Sequence, residues 1–175
     1  MITDELADYA IVGGGCAGLS LAVQLAERLP PTTRIVVIEP RTSYVRDRTW
    51  CYWRVRPHRF ETAVNHTWHR WKVRYASREI IRESHRYTYQ HIPGDAFYRT
   101  ALERLAAAPN VTLKLGVTAQ VITAAGEGAI VETDHGRLRA GHVFDSRPPA
   151  TRGGLLQHFV GWRVRTATPC FSPRL

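Results

Sequence analysis

A strand, a glycine-rich turn, a helix and a second strand fill residues 9–39, and this run constrains the fold more than anything that follows it. Tyr9-Ala10-Ile11-Val12 is a short apolar stretch suited to a buried strand. Gly13-Gly14-Gly15-Cys16-Ala17-Gly18 satisfies G-x-G-x-x-G at Gly13, Gly15 and Gly18. Leu19, Ala22, Val23, Leu25, Ala26 and Leu29 repeat at helical spacing, and Pro30-Pro31 stops that helix because proline lacks an N–H. Ile35-Val36-Val37-Ile38 is a second buried strand with Glu39 at its end.

Each part of this unit has a physical task. Gly13 permits the tight strand-to-helix turn, Gly15 lets a pyrophosphate approach the backbone, and Gly18 lets helix and strand pack closely. Cys16 and Ala17 are small residues at the helix start, where free N–H groups and a partial positive charge face the phosphates. Glu39, about 20 residues past the glycines, is placed to accept hydrogen bonds from a ribose diol. The unit predicts a dinucleotide site. An acid at this position rather than an arginine favours FAD or NAD over NADP.

A length of 175 residues predicts one domain with a real core. The formal charge of +9 comes almost wholly from arginine, since the only lysines are Lys72 and Lys114. No helix-turn-helix, RRM or zinc pattern accompanies the charge, so a nucleic-acid partner is not expected; an anionic membrane surface is the better match. Cys16, Cys51 and Cys170 are far apart and lack metal or disulfide spacing, which predicts a reduced, cytoplasmic setting. His66 and His69 lack a completing acid or cysteine cluster, so no metal is expected. No stretch approaches the ~18 apolar residues of a membrane span, so membrane contact would be peripheral.

Residues 40–52 read as a loop at the ligand edge of the sheet, carrying Arg46-Asp47-Arg48 and Trp50. An inserted region, about 54–91, is rich in Arg, His and aromatics. Trp71, Val73 and Tyr75 alternate with Lys72 and Arg74, as a half-buried strand would, and Ile80-Ile81 and Tyr87-Thr88-Tyr89 predict further strands of an antiparallel patch. Phe97, Ala101, Leu102 and Leu105 mark the buried face of a helix that ends near Pro109-Asn110. Val111, Leu113 and Leu115 predict a third strand of the main sheet. Strands at 117–123, 129–133 and 138–144, with turns at Gly126-Glu127-Gly128 and Asp134-His135-Gly136, predict a meander returning to that sheet. One more strand is predicted at 155–162.

Four of these segments resemble those of one family. Arg46-Asp47-Arg48-Thr49-Trp50-Cys51-Tyr52-Trp53 resembles the D-R-T-W-C-F-W segment of the flavin-dependent lycopene cyclases, the carotenoid β-cyclases. His91-Ile92-Pro93-Gly94-Asp95-Ala96-Phe97-Tyr98, Phe144-Asp145-Ser146-Arg147-Pro148 and Leu156-Gln157-His158-Phe159-Val160-Gly161-Trp162 resemble three more, in the family's order. The resemblance implies an α/β, Rossmann-like FAD-binding domain with a three-stranded antiparallel meander and an inserted antiparallel β patch. It implies reduced FAD as cofactor, NAD(P)H as electron source, and lycopene or a related linear carotene as substrate. An acid protonates the terminal double bond, the neighbouring double bond attacks the cation, and proton loss closes a β-ring with no net redox change. By the resemblance Arg48 and Asp145 lie near the flavin. Trp50, Trp53, Phe159 and Trp162 would supply aromatic walls or, alternatively, ordinary core. A basic, aromatic-bearing rim would dock on an anionic membrane.

The chain also departs from that pattern. The acidic motif of the family lies downstream of anything matched, so the catalytic glutamate is expected beyond Leu175. After Trp162 the family pattern runs towards Phe-Asp-Pro, where this chain has Phe171-Ser172-Pro173. The expectation is therefore an N-terminal portion, one FAD-binding domain over 1–175 that is incomplete at its C-terminus. Asp47 and Asp145 are the only carboxylates in matched motifs and so the only local acid–base candidates. Asp47, between two arginines, is expected to be ionised. Two alternatives stay open: another FAD-dependent oxidoreductase on the same fold, such as a monooxygenase or isoprenoid reductase, and an inactive remnant.

Overall fold

The computed structural model describes residues 5–148 and 167–168. The strand expected at 155–162, with Phe159 and Trp162, lies outside the described residues, as does Cys170. Among the described residues the main sheet has six strands, in the order β8-β2-β1-β11-β10-β9. These are β1 (Glu5–Val12), β2 (Ile35–Glu39), β8 (Val111–Leu115), β9 (Ala119–Ala125), β10 (Gly128–Thr133) and β11 (Gly136–Asp145). Helix α1 (Cys16–Arg28) links β1 to β2 and helix α2 (Gly94–Ala106) precedes β8. The Rossmann-like unit, the third parallel strand and the returning meander are thus all present, with turns at the expected glycines.

Side-chain alternation sorts the core onto two faces of this sheet. Ile11, Ile35 and Val37 pack with Leu19, Ala22 and Val23 of α1 and Phe97, Ala101 and Leu105 of α2. Ala10, Val12, Val36 and Ile38 pack instead with Val131, Leu138 and Ala140 of the meander. Every residue of β2 is buried, which explains its unbroken apolar run. Parallel pairing aligns Val12 with both Ile38 and Asp145, so β1, β2 and β11 end at one edge of the sheet.

A second sheet, order β3-β7-β4, is made of β3 (Thr49–Arg54), β4 (His66–Trp68) and β7 (Thr88–Pro93). β3 corrects the reading of 40–52 as a loop. Its Thr-Trp-Cys-Tyr-Trp run has high strand propensity, but its pairing partner, Thr49 to Pro93 through Arg54 to Thr88, arrives about 40 residues later. The short β4 was not anticipated. β5 (Arg70–Tyr75) and β6 (Arg78–Glu83) form a separate hairpin. The predicted alternation is there, but the half-buried reading is not. Val73 and Tyr75 are 59% and 82% exposed, because among the described residues the hairpin is two strands with no third strand or layer over them.

In α2 the expected Phe97, Ala101 and Leu105 are buried, Leu102 is only half-buried, and Tyr98 takes its place in the core. Phe97 joins α2 to the second sheet, with ring centroids 4.9 Å from Trp50 and 4.5 Å from Phe60. Phe97→Ala is expected to cost about 3–5 kcal/mol, read as a lower urea midpoint at unchanged slope.

Candidate functional site

The glycine loop leaves the shared edge of β1, β2 and β11. Gly13 has φ of +100°, the left-handed backbone its turn needs, and its N–H donates to the Ile38 carbonyl at 2.8 Å. A Cβ on Gly18 would sit 1.8 Å from the Gly13 carbonyl oxygen. That contact is the close helix–strand approach the sequence predicted. A Cβ on Gly15 would meet nothing within 4 Å, so the backbone there faces open space. Gly15 also caps α1 without a side-chain acceptor, which leaves the N–H groups of the first turn free to face a ligand.

A groove of about 310 Å³ lies over this loop, and its walls include Gly13, Gly15, Cys16, Ala17, Glu39 and Arg48. Six of the eight residues expected to hold the cofactor therefore meet there. Gly18 supports the loop from beneath. Asp145 is not a wall residue; it accepts hydrogen bonds from Arg147 Nε at 2.9 Å and Nη2 at 2.8 Å, and Arg147 lines the groove. Ser146, given no role in the sequence reading, donates its hydroxyl to the carbonyls of Val12 at 2.9 Å and Gly13 at 3.0 Å, locking the loop to the end of β11. Its place inside the Phe-Asp-Ser-Arg-Pro segment was the signal that could have found it.

Glu39 is 4% exposed, and its carboxylate is already fully engaged. Oε2 accepts from Gly14 N–H at 2.6 Å and Arg41 Nη2 at 3.2 Å. Oε1 accepts from Arg41 N–H at 3.0 Å and Nε at 2.7 Å. A carboxylate has about four acceptor positions, so a ribose diol could bind Glu39 only by displacing an Arg41 donor. Burial alone would raise the pKa of Glu39, but the hydrogen bonds and charge of Arg41 and the Gly14 N–H bring it below the ordinary value. Arg41 also donates to the hydroxyl of Tyr98 at 3.2 Å and to the Gly14 carbonyl at 3.2 Å, and its guanidinium lies over the rings of Tyr44 and Tyr98. Sequence reasoning missed Arg41; an arginine two residues past the strand-end acid was its only trace.

This network reaches the Arg-Asp-Arg segment. Tyr98 donates to Asp47 at 3.2 Å, Arg41 Nη1 lies 3.5 Å from Asp47, and Arg48 Nε donates to Asp47 at 2.9 Å. Of the two arginines that flank Asp47 in sequence, Arg48 meets it and Arg46 instead faces Asp95 at 3.6 Å. Partial burial opposes ionisation of Asp47, but Arg48 and Tyr98 outweigh it and lower its pKa. Hydrogen bonds from Arg147 likewise lower the pKa of Asp145. Both sequence candidates for acid–base work are therefore held as carboxylates, and neither is a ready proton donor.

A second cavity, about 390 Å³, lies between α1 and the second sheet; its lining includes Cys16, Trp50, Tyr52, Phe60, Ile92 and Phe97. Cys16 is common to both cavities, so they adjoin at the start of α1. The walls are largely apolar, with five aromatic rings; Ser20, Arg54 and Arg56 also line them, and Tyr52 and His58 belong to a short polar chain. The Phe60 N–H donates to His58 Nδ1 at 3.1 Å, His58 Nε2 lies 2.6 Å from the Tyr52 hydroxyl, and Tyr52 donates to Gln90 at 3.0 Å. Burial, with the charge of Glu61 behind it, pushes the Tyr52 hydroxyl up to about 12, so it stays protonated at neutral pH. Burial likewise raises the Cys16 thiol. Among the described residues no group of His, Cys, Asp and Glu is arranged to hold a metal.

The fold and site define an α/β domain shared with flavin-dependent enzymes. NikD, an unusual amino acid oxidase essential for nikkomycin biosynthesis, superposes with a TM-score of 0.58 at 20% identity over 84% of this chain and 52% of its own. The p-nitrophenol 4-monooxygenase PnpA from Pseudomonas putida DLL-E4 gives 0.61 at 17% identity over 82% and 41%. The flavin-dependent monooxygenase PieE, solved with FAD and substrate, gives 0.60 at 13% identity over 80% and 30%. The chain spans about half or less of the length of these proteins. The chain belongs to the lycopene cyclase family: the family model described as lycopene cyclase protein matches residues 8–175. No curated protein sequence matches it at a significant level.

Proposed function

We propose that this chain is the FAD-binding portion of an enzyme that closes the ψ-ends of lycopene, or a related linear carotene, into β-rings. The observation that carries the reading is the aromatic cavity adjoining the glycine groove at Cys16, in a chain of this family. It offers an apolar, partly enclosed place for one end of a polyene beside a dinucleotide cradle.

Gly13, Gly15, Cys16 and Ala17 would receive the pyrophosphate, with Gly18 fixing the loop and Arg48 and Arg147 supplying positive charge; Asp145 orients Arg147. Glu39 would hold the loop through Gly14 and meet the ribose where Arg41 yields a position. Reduced FAD, regenerated by NAD(P)H, supplies an electron-rich ring that favours nearby positive charge without net electron transfer to the substrate. The rings of Trp50, Phe60 and Phe97 give the cavity apolar walls and would present π-faces to a cation. Asp47 and Asp145 stay ionised, so they contribute negative charge rather than the initiating proton. The enzyme would work peripherally at the cytoplasmic face of a membrane, where its substrate resides. No helix among the described residues is long and apolar enough to cross one.

The test is expression in lycopene-accumulating cells, alone and joined to the C-terminal portion of a full-length cyclase of the family. The joined protein is expected to convert lycopene to ring-bearing products of unchanged mass, read by chromatography and mass spectrometry. Products heavier by oxygen would point to monooxygenase chemistry, and no product from the joined form would remove the cyclase reading.

A further inference from the structure

The β5–β6 hairpin has two unlike faces. Residues paired across an antiparallel ribbon point the same way. The register Trp71 to Arg82, Val73 to Ile80 and Tyr75 to Arg78 puts Trp71, Val73, Tyr75 and Ile80 on one face with Arg78 and Arg82. That face has an apolar centre, two cations and no acid. The other face carries Arg70, Lys72 and Arg74 with Glu79, Ile81 and Glu83; Ile81 is its one apolar residue, and Lys72 lies 3.5 Å from Glu79, so its cations are partly balanced by acids.

The apolar face is open: Val73 is 59% exposed, Tyr75 82% and Ile80 48%. A two-stranded ribbon is marginal in water unless something covers a face. The face also leads somewhere. Trp71 meets Trp53 edge to face with centroids 4.4 Å apart, and Trp53 and Val55 line the aromatic cavity. A continuous apolar strip therefore runs from the hairpin to the cavity.

We propose that this face of the hairpin, Trp71, Val73, Tyr75 and Ile80 with Arg78 and Arg82, docks on the surface of an anionic bilayer and turns the cavity rim at Trp53 and Val55 towards it. The choice of bilayer rests on the carotene reading; the shape and charge of the face do not. Interfacial tyrosine and tryptophan sit at headgroup level with their rings in the acyl boundary, and arginine pairs with anionic headgroups. A second copy of the chain is a poorer occupant, since the same two arginines would face each other across a two-fold contact. The excess of positive charge in the chain, +9, favours the same partner.

The test is flotation of the purified chain with phosphatidylcholine vesicles, plain or with phosphatidylglycerol as about a third of the lipid. Binding to the anionic vesicles is expected, with a blue-shifted tryptophan emission, and little binding to the plain ones. Val73→Ser/Tyr75→Ser and Arg78→Ser/Arg82→Ser should each weaken partitioning about 10-fold or more, with the circular dichroism spectrum and melting temperature kept. Lys72→Ser/Arg74→Ser, which removes the same charge from the opposite face, should weaken it less. Equal losses from both arginine and lysine pairs would mean diffuse attraction and overturn the proposal. So would absence of binding, or a concentration-dependent dimer that the Val73→Ser/Tyr75→Ser variant abolishes. Vesicle binding needs neither flavin nor carotene, so failure of ring formation and failure of docking are separate results.

Discussion

Gly15→Ala and Gly18→Ala are expected to part company, one losing cofactor affinity and the other losing the fold. At Gly15 the backbone angles, φ −80° and ψ −165°, suit alanine, and a Cβ meets nothing within 4 Å. Stability of the cofactor-free chain should stay within about 1 kcal/mol of wild type. The new methyl would occupy the space a pyrophosphate must enter, so FAD affinity should fall about 10-fold or more, equivalent to about 1.4 kcal/mol. At Gly18 the Cβ would lie 1.8 Å from the Gly13 carbonyl oxygen and 3.1 Å from the Ser146 hydroxyl. Backbone cannot yield as a flexible side chain does, so α1 must move off β1, at a cost of about 3 kcal/mol or more. Against a typical total of about 5–15 kcal/mol this is severe. Thermal unfolding and quenching of flavin fluorescence separate the two. A Gly18→Ala chain as stable as wild type would refute the close-packing account. Undiminished FAD binding by Gly15→Ala would show that the phosphates bind elsewhere.

Glu39→Gln is the second large effect, and it carries a pH signature. Gln keeps the shape but withdraws the charge that faces Arg41 in a nearly closed site. Breaking a buried pair typically costs about 3–5 kcal/mol; the 29% exposure of the Arg41 side chain brings the expectation to about 2–3 kcal/mol. The folded pKa of Glu39 lies below its ordinary value, so its contribution is complete above the unfolded value of about 4.3 and is lost as pH falls through the folded one. Urea midpoints should therefore separate wild type from Glu39→Gln at neutral pH and converge on acidification. Profiles that stay parallel down to acid would mean that the carboxylate stabilises nothing through its charge.

Much of the site was legible because its signals are local. The turn at Gly13, the packing glycine at Gly18 and the strand-end acid at Glu39 each follow from short-range geometry, and all three sit where expected. Arg41 was not legible, because its meaning depends on what surrounds it. Glu39 is near in sequence, but Tyr98 comes from a helix 57 residues away and Gly14 from the loop 27 residues before. The same holds for β3: its residues favour a strand, but only β7 supplies the hydrogen bonds. That pairing also explains why the two family-like segments at 46–53 and 91–98 are both present. They meet where β3 pairs with the end of β7, Thr49 against Pro93 and Trp50 against Ile92, and the Gly94 N–H at the start of α2 donates to the Arg48 carbonyl at 2.9 Å.

Sequence alone determined the α/β unit, the glycine loop, the returning meander and the family, because periodicity, glycine spacing and ordered motifs are written along the chain. Tertiary structure decided what those parts do to one another. It spent the carboxylate of Glu39 on Arg41 and Gly14, since a buried charge must be paired where no water reaches. It set Asp145 behind the groove wall, as the partner that holds Arg147 there. It also left Val73 and Tyr75 of the alternating run exposed, while Trp71 packs against Trp53, because alternation fixes which face is apolar but not whether another layer covers it.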